Sequence, residues 1–197
     1  MKLASALSLV VLAAAPTFAS ATSAFSIDFE KTWSYGEAVD NTYAAQGVSF
    51  SNILGLSNDE ANGMLYFSKP TSAQGVATAQ LDGTVNTAAY MNVDAAVDYV
   101  LNFEYSALSD VVISAYSGLN GTGTLLGSIT LAANTADFSN WQVATFSFNG
   151  QAKSFDLSAL NGAGAIDNIS AVPEPSSLAL LGAALGVVGF AARRRQA

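Results

Sequence analysis

The chain has 197 residues, no cysteine and no histidine, and 15 acidic residues against 7 lysines and arginines. The missing side chains exclude a disulfide framework, a thiol nucleophile, a Ser-His-Asp triad and imidazole or thiolate metal ligands. The acidic balance argues against nucleic acid as a partner, because phosphate contacts need Lys and Arg.

Met1-Lys2 opens the chain with one positive charge, and an apolar stretch of 13 residues follows from Leu3 to Ala15. Pro16 then interrupts, and Ala19-Ser20-Ala21 supplies small residues at the -3 and -1 positions of a cleavage site. This is the pattern of a Sec signal peptide over residues 1–21. Cleavage is expected after Ala21, with Ala24 or Ala19 as alternatives. The other reading, an uncleaved anchor, has an apolar core short of the roughly 20 residues that a spanning helix needs.

Residues 22–171 hold one proline, Pro70, and thirteen glycines. Alternation with period two dominates, and no extended 3.6-residue apolar periodicity is present. Phe25, Ile27 and Phe29 alternate with Ser26, Asp28 and Glu30, and Val48 and Phe50 alternate with serines. The run Val97, Tyr99, Leu101, Phe103, Tyr105 is the clearest half-buried strand. Further strands are predicted at Met64–Ser68, Val76–Leu81, Ala88–Val93, Val111–Tyr116, Leu125–Leu131, Trp141–Phe148, Ser154–Leu157 and Ala165–Ala171. Turns are predicted at 58–63, Asp82-Gly83, 118–123, Asn149-Gly150 and Asn161-Gly162, where residues that tolerate positive φ cluster. A short helix is predicted around Asn134–Ser139. About ten strands with no long helix between them predict an all-β fold, an antiparallel β-sandwich.

The pattern also resembles jelly-roll domains similar to galactose-binding-like and carbohydrate-binding modules. The residues that carry the likeness are Ile27-Asp28-Phe29-Glu30, Gly47-Val48-Ser49-Phe50, the Tyr99–Tyr105 run, Gly121-Thr122-Gly123, Trp141 and Ala165–Ser170. The resemblance implies a structural calcium held by oxygens of the first and last strands, with Asp28, Glu30 and Asp167 as ligands. Calcium takes such hard oxygen donors, and the alternative is a solvated acidic strand face. Trp33 and Tyr35, in a predicted loop, are candidates for stacking on sugar rings, and Trp141 is expected in the core. Carboxylate pairs about 5–9 Å apart can hydrolyse glycosides, but no motif singles out a pair, and no catalytic residue is assigned.

Residues 172–197 have three parts: Val172-Pro173-Glu174-Pro175, an apolar segment over 176–192, and a basic end over 193–197 containing Arg193, Arg194 and Arg195. Arginines directly after an apolar run place the carboxyl end in the cytoplasm and the preceding domain outside, the orientation that a signal peptide also demands. The three parts in this order resemble the PEP-CTERM sorting signal. The resemblance implies a Gram-negative exported protein, anchored in the inner membrane and then processed near 173–175 by an exosortase. It further implies association with extracellular polysaccharide or biofilm. The prolines keep the recognition segment extended and out of the apolar helix. Glu174 is then a recognition residue rather than a catalytic acid. The expected function is a non-enzymatic surface or matrix protein; the alternatives are a carbohydrate-binding module with a defined glycan and a secreted polysaccharide hydrolase.

Overall fold

The computed structural model describes residues 24–59, 63, 65–68, 72, 74–80 and 88–171. The signal-peptide expectation (Ala19, Ala21) and the tail expectations (Val172 to Pro175, Arg193 to Arg195) lie outside the described residues. Among the described residues nine strands run β1 (Phe25–Ile27), β2 (Val48–Ser51), β3 (Ile53–Leu56), β4 (Val76–Ala79), β5 (Tyr90–Ala107), β6 (Val111–Tyr116), β7 (Leu125–Leu131), β8 (Gln142–Asp156) and β9 (Gly164–Ala171). The only helical elements among the described residues are 3-10 turns at Ala44–Gln46 and Ser158–Leu160. Among these residues no helix is long and apolar enough to cross a membrane.

Every strand pair is antiparallel. The strand order is β3-β4-β9-β5-β8-β6-β7, with β1 added on β9 and β2 on β5. The architecture is the expected all-β sandwich. Alternation explains it directly: in β8, Ala144, Phe146, Phe148 and Ala152 are buried while their neighbours are exposed. Phe146, Phe148 and Phe155 pack edge to face at 5.4–6.2 Å, and they share one core with Ile27, Ile113, Ile166 and Met91.

Two pairs of predicted strands are single long ones. Ala88–Val93 and Val97–Tyr105 join in β5, where a register shift between Asn92 and Val97 absorbs extra residues and Ala96 takes φ 66°. Trp141–Phe148 and Ser154–Leu157 join in β8, so Asn149-Gly150 is an irregularity in a continuing strand rather than a hairpin turn, with Gly150 at φ 88°. Such bulges sharpen strand twist and bend, and they let β5 and β8 serve both halves of the sandwich.

Three other expectations are corrected. Leu65–Ser68 is not a strand; the Asn58 side chain binds Tyr66 N and Phe67 O, each at 2.8 Å. Asn134–Ser139 is not a helix. Thr135 Oγ1 accepts from Asp137 N and Ser139 N at 3.2 and 3.1 Å, so a side chain takes the place of helical carbonyls. Strand β3 was missed, because Ile53-Leu54-Gly55-Leu56 has no polar residue to mark the alternation.

Candidate functional site

The segment after β1 builds one wall of an open cleft. Phe29 takes φ 51° and turns the chain away from the sheet. The Trp33 indole then lies flat against Gly55 on β3, with Nε1 donating to Phe29 O at 3.0 Å. Ser57 Oγ accepts from Trp33 N at 2.9 Å and donates to Lys31 O at 3.0 Å. Lys31 Nζ sits 4.4 Å from the Trp33 ring centroid and pairs with Glu37. That ion pair, with the Ser34 N–H, holds the Glu37 carboxyl below its ordinary range.

The result is a cleft of about 440 Å³, within the usual size range of ligand sites, lined by residues 32–36, 54–57, Asp59, Tyr66 and Gln80. Its aromatic wall differs from the sequence expectation. Trp33 is buried, 4% exposed, and offers no free face for stacking; it is the pillar under the loop. Tyr35 is 86% exposed beside the cleft. Tyr66 is half-buried and also lines a smaller cavity of about 190 Å³ with Leu56, Val76, Phe138 and Ala165. Leu54, Gly55 and Leu56 on β3 and Gln80 just after β4 were missed as lining residues, and nothing local in the sequence marks them.

Two of the other aromatics serve packing. Tyr43 meets Phe29 and Phe50 at 5.6 and 6.2 Å. Trp141 is half-buried, 6.4 Å from Phe67, and donates to Ser68 O at 3.2 Å.

The expected calcium ligands are divided. Asp28 and Glu30 are exposed, whereas Asp167 on β9 is fully buried. Asp28 Oδ1 accepts from Glu30 N at 3.1 Å, and Glu30 Oε1 accepts from Gln74 N at 2.8 Å, so both carboxylates bind loop backbone. Ser72 Oγ donates to Asp167 Oδ2 at 2.5 Å and lies 3.2 Å from Asp28 O. Burial pushes the Asp167 carboxyl up to about 6; Glu104 and Glu30 add to this, while hydrogen bonds from Ser72 and Asn168 oppose it. Tyr43 is pushed up to about 12, first by burial and then by Asp28 and Asp167. The donors are all oxygens, the class calcium takes. Among the described residues, however, no three His, Cys, Asp or Glu side chains are placed to hold a metal ion. What converges is one carboxylate, one hydroxyl and the main-chain oxygen of Asp28, rather than three carboxylates.

Comparison with solved structures gives only remote likenesses. The K1 cleaved adhesin domain of Lys-gingipain from Porphyromonas gingivalis is similar at TM-score 0.49 and 13% identity, covering 77% of this chain and 98% of that one. A carbohydrate-binding module of lichenase 5A from Cellvibrio mixtus, in complex with cellotriose, is similar at TM-score 0.41 and 9% identity, covering 76% and 96%. The C-terminal module of a laminarinase from Zobellia galactanivorans follows at TM-score 0.37 and 14% identity, covering 75% and 97%. No curated protein matches by sequence. The carboxyl-terminal segment is specific where these likenesses are not: residues 171–195 match the PEP-CTERM protein-sorting motif, which implies export and membrane anchoring before exosortase cleavage.

Proposed function

We propose that this is a non-enzymatic cell-surface or matrix protein, exported through its signal peptide, released by exosortase and binding neutral extracellular polysaccharide. The sorting motif over 171–195 carries the first half of the reading. The cleft beside Tyr35 supports the second. Its described lining combines two tyrosines with Ser57, Gln80 and Asp59, and it contains no Lys or Arg. Hydroxyl, amide and ring groups of this kind suit sugar hydroxyls and ring faces. Residues 22–171 hold three lysines against fourteen acidic residues, so the domain's field repels acidic glycans and favours neutral ones. Asp59 is the one carboxylate in that lining, whereas hydrolysis by the two-carboxylate route uses a pair across the bond. This favours binding over cleavage.

Two measurements test the proposal. Intact mass and location are compared in cells with and without an exosortase; a tail retaining Arg193–Arg195 equally in both defeats the sorting half. A pull-down of the exported protein on neutral polysaccharides, set against an acidic one, tests the binding half. Uniform absence of binding defeats it.

A further inference from the structure

Strands β4 and β9 bury alternate residues in two different places. Ala77 and Ile166, which are register partners, join the main core. Val76 and Ala165 point to the opposite face, where they form a second, separate cluster with Phe67. Leu56, Tyr66, Phe138 and Trp141 are half-buried against it. Two loop segments supply this cover and brace each other. Phe138 O accepts from Ser68 N at 3.0 Å, and Ser68 O accepts from Trp141 Nε1 at 3.2 Å. The cover does not close. The cavity of about 190 Å³ remains there, and Gly164 and Ala165 bring little bulk to its wall. The Thr78 hydroxyl on that wall is already spent, donating to Gly164 O at 2.7 Å. Phe138 stands at the cavity with φ 55°. A bulky residue in the left-handed region is strained, and such strain clusters at ligand sites.

This cavity adjoins the larger cleft, because Leu56 and Tyr66 line both. A sugar unit held in the cleft therefore has the space one side chain away. The space does not suit the sugar itself. A hydroxyl moved there from water loses hydrogen bonds that the apolar wall does not replace. An apolar group loses nothing, and a cavity of about 150 Å³ lined by apolar side chains already accommodates benzene. Charge narrows the choice further. With three lysines against fourteen acidic residues over 22–171, the domain's field opposes sulfate, uronate or pyruvyl groups on a glycan. A group that is both apolar and uncharged remains. We infer that the cavity is a subsite for a short O-acyl substituent, such as acetyl, carried by the neutral glycan in the cleft. The inference deepens the binding reading above and rests on it.

The test uses the neutral polysaccharides of the pull-down, O-acetylated glucomannan and xyloglucan among them. Each is cast into gels before and after its esters are removed by mild alkali, and retardation of the exported protein is measured. The acetylated form is expected to bind about fourfold tighter or more, the contribution of one buried CH₂-sized group. Ala165→Leu pushes a larger side chain into the cavity and should bring the ratio of the two affinities to about 1. Ala165→Val adds less bulk and should lower the ratio part of the way; it decides the matter if the leucine variant does not fold. Equal retardation of the wild type by both forms overturns the inference and leaves the binding reading standing. A ratio unchanged by filling the cavity also overturns it, because the ester is then held elsewhere. No retardation by any neutral polysaccharide in either form defeats both.

Discussion

A Cβ on Gly55 would fall inside the indole of Trp33. The glycine is therefore the seat of the loop over residues 29–37, and its bare backbone is what lets the ring lie flat on β3. Gly55→Ala forces the ring outward and should cost roughly 1–3 kcal/mol, as overpacking of a well-filled site does. At about 2–4 °C per kcal/mol for a domain of this size, the melting temperature should fall by several degrees. Tryptophan emission should move to the red as Trp33 gains solvent. An unshifted spectrum with an unchanged midpoint would contradict the packing described.

The alternation over 97–105 was legible because Val97, Leu101, Phe103 and Tyr105 face one core; Tyr99, at φ 55° and 48% exposed, departs from it. The bulge at Asp94–Ala96 was not, since two exposed residues and an alanine at positive φ look like a turn in sequence. Trp33 was misread for a related reason. Its burial depends on Gly55, on a strand with no polar markers, so a loop tryptophan appeared free. Asp167 was placed correctly on the closing strand. Its full burial comes from β9 lying between β5 on one side and β1 and β4 on the other, which is topology rather than local pattern.

Ser106 on β5 is fully buried, and its Oγ has no hydrogen-bond partner. A buried hydroxyl left without a partner costs about 1–3 kcal/mol. Ser106→Ala removes that polar atom and only a small volume. It should raise stability by about 1 kcal/mol, read as a rise of a few degrees in a thermal melt. A fall of similar size would show that the hydroxyl is satisfied in solution.

Tyr35 has little to lose by truncation except its role at the cleft, because it is 86% exposed and packs against no core residue in either cluster. Tyr35→Ala should leave the melting temperature within a degree or two. Aromatic stacking is worth about 0.5–1.5 kcal/mol, so affinity for a neutral glycan retained by the wild type should fall about 2- to 12-fold. Affinity electrophoresis in gels containing the polysaccharide reads the effect. Equal retardation of both proteins would remove Tyr35 from the site.

Asp167 makes stability depend on pH with a definite sign. Its carboxyl titrates near 6 in the fold against an ordinary 3.8. Between those values the folded state holds a proton that the unfolded chain has released, so this group's contribution falls as pH rises. The contribution is complete below about pH 4 and lost above about pH 6. Asp167→Asn mimics the protonated form and should flatten that slope. In chelator, the variant's advantage should grow from pH 4 to 6 and reach up to roughly 3 kcal/mol at pH 7. A difference that does not change with pH would show that the carboxyl is not perturbed. Calcium added at pH 7 tests the metal expectation in the same assay. A hard cation neutralising Asp167 beside the oxygens of Ser72 and Asp28 should raise the wild-type midpoint. It should leave Asp167→Asn nearly unmoved. A wild-type midpoint indifferent to calcium would leave the buried carboxyl a site of protonation alone.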